Sequence, residues 1–138
     1  MIGQYVKKIT DELRRDHVII ATALSEAKFF GITSKEGNMQ IQKAMKKLHK
    51  HLEDEEKKIY PTLNKAAEKD TRIAKIMAQE TAEIGELIQE AEDFFEKFEA
   101  GEIDSDHHEE LDKFIHSFLE RTKKEESTTY PEYEKLAL

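Results

Sequence analysis

His17, the pair His51 and Glu55, and Glu125 are the residues of this sequence whose types and spacing suit metal chemistry. His51 and Glu55 stand at i and i+4, so on a helix both side chains project from one face at one height. His17 falls between Leu13 and Ile20, where the apolar spacing requires another inward side chain. Glu55 fills the gap between Leu52 and Ile59, and Glu125 continues a stripe that runs through Phe118 and Thr122. Imidazoles and carboxylates converging inside a helical bundle suit iron, zinc or manganese. A lone inward histidine is more often a hydrogen-bonded core residue than a ligand. Three segments that each turn such a group inward favour a metal site, because an unpaired buried charge costs several kcal/mol or is neutralised by a pKa shift.

The remaining candidates are weaker. His116 and Glu120 repeat the His-x-x-x-Glu spacing but fall opposite the Leu111 stripe, as a solvated pair would. His107 and His108 stand where a helix begins, and His49 lies on a helix flank. No cysteine occurs, which excludes a disulfide framework, a thiolate nucleophile and a zinc ribbon. Any metal is therefore held by nitrogen and oxygen.

The elements that must position these groups are helices. The 38% of charged residues beside five glycines and two prolines is the usage of long helices, and 38% of hydrophobic residues still fills a core. The stretch Gly31-Ile-Thr-Ser-Lys-Glu-Gly37 reads as a loop, and Gly101 opens a second whose Ser105 or Asp106 would cap the next helix. Asp70 or Thr71 offers another cap. The apolar stripes predict helices at 4–30, 38–66, 71–100 and 106–129, which gives an all-α, up-and-down antiparallel four-helix bundle in one domain, 1–138. A formal charge of −8 argues against nucleic acid and anionic membranes as partners. No stretch approaches the roughly 18 apolar residues of a membrane span, and charges by Lys7 leave no signal-peptide core. The expectation is a soluble, cytoplasmic protein, monomer or homodimer.

The two halves of the chain repeat each other. Asp16-His17-x-x-Ile20-x-x-x-Leu24 lies over Glu80-Thr81-x-x-Ile84-x-x-x-Ile88. His51-x-x-x-Glu55-Glu56-x-x-x-Tyr60-Pro61 lies over Arg121-x-x-x-Glu125-Glu126-x-x-x-Tyr130-Pro131. Pro61 and Pro131 thereby acquire one shared meaning, a kink or helix end beyond the site.

With these motifs the sequence resembles the hemerythrin-like (HHE cation-binding) family over nearly its whole length. The resemblance implies a four-helix bundle with a non-haem di-iron site built from two half-sites of the form His … His-x-x-x-Glu. It implies that His17, His51 and Glu55 are the first half-site and that Thr81, Arg121 and Glu125 stand at the second. Arginine has no lone pair to offer. The implied site therefore holds at most one ion, iron or in its place zinc or manganese, on His17, His51, Glu55 and Glu125. Arg121 is expected near the vacated second position, paired with Glu125 or Glu55. Glu80 is expected at the surface, and Glu80, Glu56 and Glu126 remain open as substitute oxygen ligands. The function implied is metal binding or sensing of metal, O2 or redox state, with a small diatomic ligand as a further partner. Loss of the second iron argues against reversible O2 transport. The alternative is a metal-free structural or interaction bundle whose former di-iron site has become a buried ion-pair network including Arg121. A metal-assisted enzyme ranks third, without a substrate-pocket signal, and ferritin-like chemistry is disfavoured because no Glu-x-x-His pair occurs.

Overall fold

The computed structural model describes residues 2–103 and 108–138. Among these described residues six α-helices follow in order: α1 Ile2–Phe30, α2 Lys35–Lys58, α3 Tyr60–Ala67, α4 Thr71–Glu99, α5 His108–Lys124 and α6 Tyr130–Ala137. A π-helical turn, Glu125–Thr129, joins α5 to α6. The described residues contain no strand. The expected caps Ser105 and Asp106, the helix start at 106 and His107 lie outside the described residues.

The expected second and fourth helices are each interrupted at the Tyr-Pro dipeptide. Pro61 cannot return an N–H to the turn before it, and Ile59 ends α2 with its own N–H on the Glu55 carbonyl at 2.9 Å. Near Pro131 the chain widens instead: the Tyr130 N–H reaches back five residues to the Glu125 carbonyl. Beyond this turn α6 runs on to Ala137, past the expected end at 129. It is fastened by Arg14 to Glu134 at 2.8 Å and by both Arg72 nitrogens to Glu132 at 2.7 and 3.0 Å.

Local chemistry sets the other boundaries. The Asp70 carboxylate accepts from the N–H groups of Arg72 and Ile73, which caps α4. Ser34 caps α2 by accepting from Gly37 N, so Gly37 belongs to the first turn of α2 rather than to the loop. Gly31 takes φ of 91°, a conformation few other residues adopt, and turns its carbonyl toward Gly37. A Cβ at Gly37 would lie 1.8 Å from the Gly31 oxygen. We expect Gly37→Ala to cost about 1–3 kcal/mol by forcing this turn apart, read as a lowered urea midpoint with an unchanged slope.

The core divides into two apolar clusters with a polar layer between them. One contains Ile20, Leu24, Ile41, Leu48, Leu87, Phe94, Leu111 and Phe118. The other contains Ile9, Leu13, Ile59, Leu63, Ile73, Met77 and Tyr133. Each segment crosses the layer with polar side chains turned inward. α1 supplies His17 between Leu13 and Ile20, α2 supplies His51 and Glu55 between Leu48 and Ile59, and α4 supplies Glu80 between Met77 and Leu87. The α5–α6 segment supplies Arg121, Glu125 and Thr129 between Phe118 and Tyr130. α1 packs against α2, α5 and α6, α3 against α4 and α6, and α4 against α5.

Candidate metal centre

In the polar layer His17 and His51 meet through their Nε2 atoms at 3.2 Å. The Glu55 Oε1 lies 3.1 Å from His51 Nε2, and Glu125 Oε1 lies 3.4 Å from His17 Nε2. All four side chains are buried, Glu55 completely. His17, His51 and Glu125 each present one donor atom, and the three atoms lie within 4.8 Å of one another, a grouping that could hold a metal ion. His116 and Glu120 are exposed, as the helical phase requires.

The second rank of groups orients the first. His51 Nδ1 lies 3.0 Å from Asp16 Oδ2, and Lys47 Nζ holds the other Asp16 oxygen at 3.1 Å. An Nδ1–H donated to Asp16 leaves His51 Nε2 as the atom free to bind. His17 Nδ1 faces the half-exposed Glu126 carboxylate at 3.6 Å. Tyr130, buried at 0% exposure, donates its hydroxyl to Glu55 Oε2 at 3.1 Å and lies 3.2 Å from His17 Nε2.

Charge in this layer is redistributed by burial. Glu125 is pushed up to about 8 by burial and by the Glu55 charge, so it keeps its proton. Burial works against ionisation of Glu55 too, but hydrogen bonds from Glu125, His51 and Tyr130 outweigh it and hold this carboxyl below its ordinary range. Burial would lower His51, yet its bonds to Asp16 and Glu55 prevail and raise it to about 10. Tyr130 is driven upward by burial and by the Glu55 charge.

The donor set passes a test of fit for a cation. Glu125 Oε2 is a buried carboxylate oxygen without a hydrogen-bond partner among the described residues, and Glu55 Oε1 lies against His51 Nε2. Two imidazoles and two carboxylates are also the hard and borderline donors that first-row divalent ions prefer.

A second polar cluster lies beside the first, and here the sequence expectation needs correction. Arg121 does not pair with Glu125 or Glu55. It is buried between Glu80, which it pairs through Nη2, and Glu83, which it reaches through Nη1 at 2.7 Å. Lys124 also pairs with Glu83. Glu80, expected at the surface, is 3% exposed, accepts from Thr129 Oγ1 at 2.8 Å and from the Tyr60 hydroxyl at 3.3 Å, and Thr81 is exposed. The inner face of α4 runs through Met77, Glu80 and Leu87, so Glu80 takes the place that the repeat alignment gives to Thr81. The alignment slips by one residue because Ile84 and Ile88, matched to Ile20 and Leu24, are only half-buried, whereas Leu87 is buried.

Sequence reasoning missed Asp16, Tyr60, Thr129 and Tyr130 as participants. Asp16 was legible as the carboxylate beside His17. Tyr60 and Tyr130 stood in the repeated Glu-Glu-x-x-x-Tyr-Pro motif, five residues beyond Glu55 and Glu125. Comparison with curated proteins and with solved structures gave no match. A family model for the hemerythrin HHE cation binding domain matches residues 8–133, a span that includes the whole polar layer, and the chain belongs to that family.

Proposed function

We propose that this protein binds a single metal cation, iron in the first place with zinc or manganese as substitutes, on His17, His51, Glu55 and Glu125. The observation that carries this reading is the set of donor separations. Two donors bound to one ion at about 2.1 Å stand about 3.0 Å apart at a right angle and about 3.4 Å apart at the tetrahedral angle. The separations His17–His51, His51–Glu55 and His17–Glu125 are 3.2, 3.1 and 3.4 Å. Four donors drawn from α1, α2 and the π-helical turn support a site made by tertiary structure rather than by one loop. The order of the apolar clusters along each segment supports an up-and-down four-helix bundle, with α2–α3 and α5–α6 each acting as one interrupted helix in a single domain, 1–138.

In this reading Asp16 orients His51, and Glu125 gives up its shared proton when a cation takes that charge's place. A bound iron supplies Lewis acidity and a one-electron couple. Buried Arg121 occupies the second half-site with a fixed positive charge, which favours one ion over two and fits sensing of metal, O2 or redox state, with a small diatomic ligand, better than O2 transport. No helix among the described residues is long and apolar enough to cross a membrane; our reading keeps a cytoplasmic monomer or homodimer without membrane or nucleic-acid partners.

Elemental analysis of protein purified without a histidine tag tests the reading. The expected result is one ion per chain, reduced to near zero in His17→Ala and in His51→Ala. Wild-type stoichiometry and affinity in both variants would overturn the ligand assignment. A wild-type protein that takes up no iron, zinc or manganese would favour the second reading, a metal-free bundle held by the Arg121–Glu80–Glu83 ion pairs.

A further inference from the structure

We infer that Tyr130 is itself a ligand of the metal centre, through a phenolate oxygen, and that the site is thereby biased toward ferric iron. The inference rests on the metal-binding reading above and extends it to a donor from a different chemical class. Its basis is geometric. The Tyr130 hydroxyl oxygen lies 3.2 Å from His17 Nε2, 3.5 Å from His51 Nε2 and 3.1 Å from Glu55 Oε2. These separations fall in the same range as those among the imidazoles and carboxylates, so the oxygen occupies a corner of the same donor polyhedron rather than a place behind it. Asp16, by contrast, meets the imidazoles through the outward Nδ1 of His51.

The hydroxyl is also held where it is. Tyr130 is 0% exposed, its ring stacks on His17 with centroids 5.7 Å apart, and the Arg14 guanidinium lies 5.6 Å from its ring centroid. Buried away from solvent, the phenol donates to Glu55 and turns its lone pairs to the His17 and His51 nitrogens, so all three of its hydrogen-bond partners belong to the proposed ligand set. A hard anionic oxygen added to two carboxylates and two imidazoles favours the more highly charged of the available ions. When the oxygen–metal bond forms, the phenolic proton leaves to solvent and no electron is transferred.

The corresponding tyrosine of the first half, Tyr60, reaches Glu80 instead and touches neither histidine. It therefore serves as an internal control of the same residue type in the same motif.

The test uses the whole chain loaded with ferric iron, read by metal content, visible absorption and resonance Raman scattering. Wild type should hold one iron and show a visible phenolate-to-iron charge-transfer band whose excitation enhances tyrosinate ring vibrations. Tyr60→Phe should keep the band, and Tyr130→Phe should lose it while retaining iron on the other donors. An iron-loaded wild type without a visible band or ring modes would overturn the inference and leave the metal-binding reading standing. A band that survives in Tyr130→Phe would likewise overturn it. A wild type that takes up no iron would overturn the inference, and one that takes up neither iron, zinc nor manganese would overturn the metal-binding reading with it. The Raman measurement on wild type decides the matter even if Tyr130→Phe fails to fold.

Discussion

Replacing Arg121 with histidine should raise the metal content of the protein from one ion per chain toward two. The guanidinium is buried between Glu80 and Glu83, and Glu80 is in turn surrounded by Thr129 and Tyr60. Its removal leaves a carboxylate in the interior with hydroxyl partners but no cation, an arrangement that typically destabilises by about 3–5 kcal/mol. An added metal ion relieves that penalty and finds donors in place: the Glu80 carboxylate, the new imidazole, and the neighbouring carboxylates of the first centre. Elemental analysis and metal-dependent melting both check this. Arg121→His should melt well below wild type without metal and recover with it. Arg121→Leu should show the same loss without recovery, because it removes the charge and supplies no donor. Adding Thr81→His should change nothing, since Thr81 is exposed. A variant that stays at one ion and melts independently of metal would show that Glu80 does not stand at the second position.

The second large effect concerns pH. Metal-free protein should lose stability steadily as pH rises from about neutral toward 10. The sign follows from two groups whose folded-state values are raised. His51, at about 10 against 6.5, contributes stability that is complete below 6.5 and gone by about 10. Glu125, at about 8 against 4.5, contributes stability that is complete below 4.5 and gone by about 8. Asp16 and Glu55 are lowered, so their contributions are lost only as pH falls through the acid range. At about 1.4 kcal/mol per pKa unit the alkaline loss amounts to a few kcal/mol. Metal binding should run the opposite way, because His51 and Glu125 must shed protons to become donors. Thermal melts with and without zinc, a redox-inert probe, should show a gap that widens between pH 6 and 9. A metal-free melting temperature that is flat or rising across that range would contradict the assignment.

Much of this architecture was legible because burial follows helical phase. Apolar residues three and four apart marked every segment, and a polar residue in such a stripe, such as His17 or Glu55, could only be inward. The Tyr-Pro dipeptides announced the two interruptions. Three features were less readable. Glu80 and Thr81 are adjacent, and the phase of Ile73, Met77, Leu87 and Ala91 puts Glu80 inward, but the repeat alignment through the half-buried Ile84 and Ile88 drew the reading to Thr81. The partners of Arg121 lie on another helix, and a spacing of four favoured Glu125 although the side chain reaches across to α4. The π-helical turn had no periodic signature, because one extra residue in one turn is invisible against so short a stripe.

That turn has a mechanical consequence. Thr129 and Tyr130 are consecutive in the chain, yet Thr129 holds Glu80 in one centre while Tyr130 holds Glu55 in the other. Both residues sit where the π-helical turn passes into α6, so one short stretch of backbone sets the position of both hydrogen bonds. The two polar clusters, one rich in imidazole and one closed by an ion pair, are thereby tied to adjacent residues of a single backbone joint.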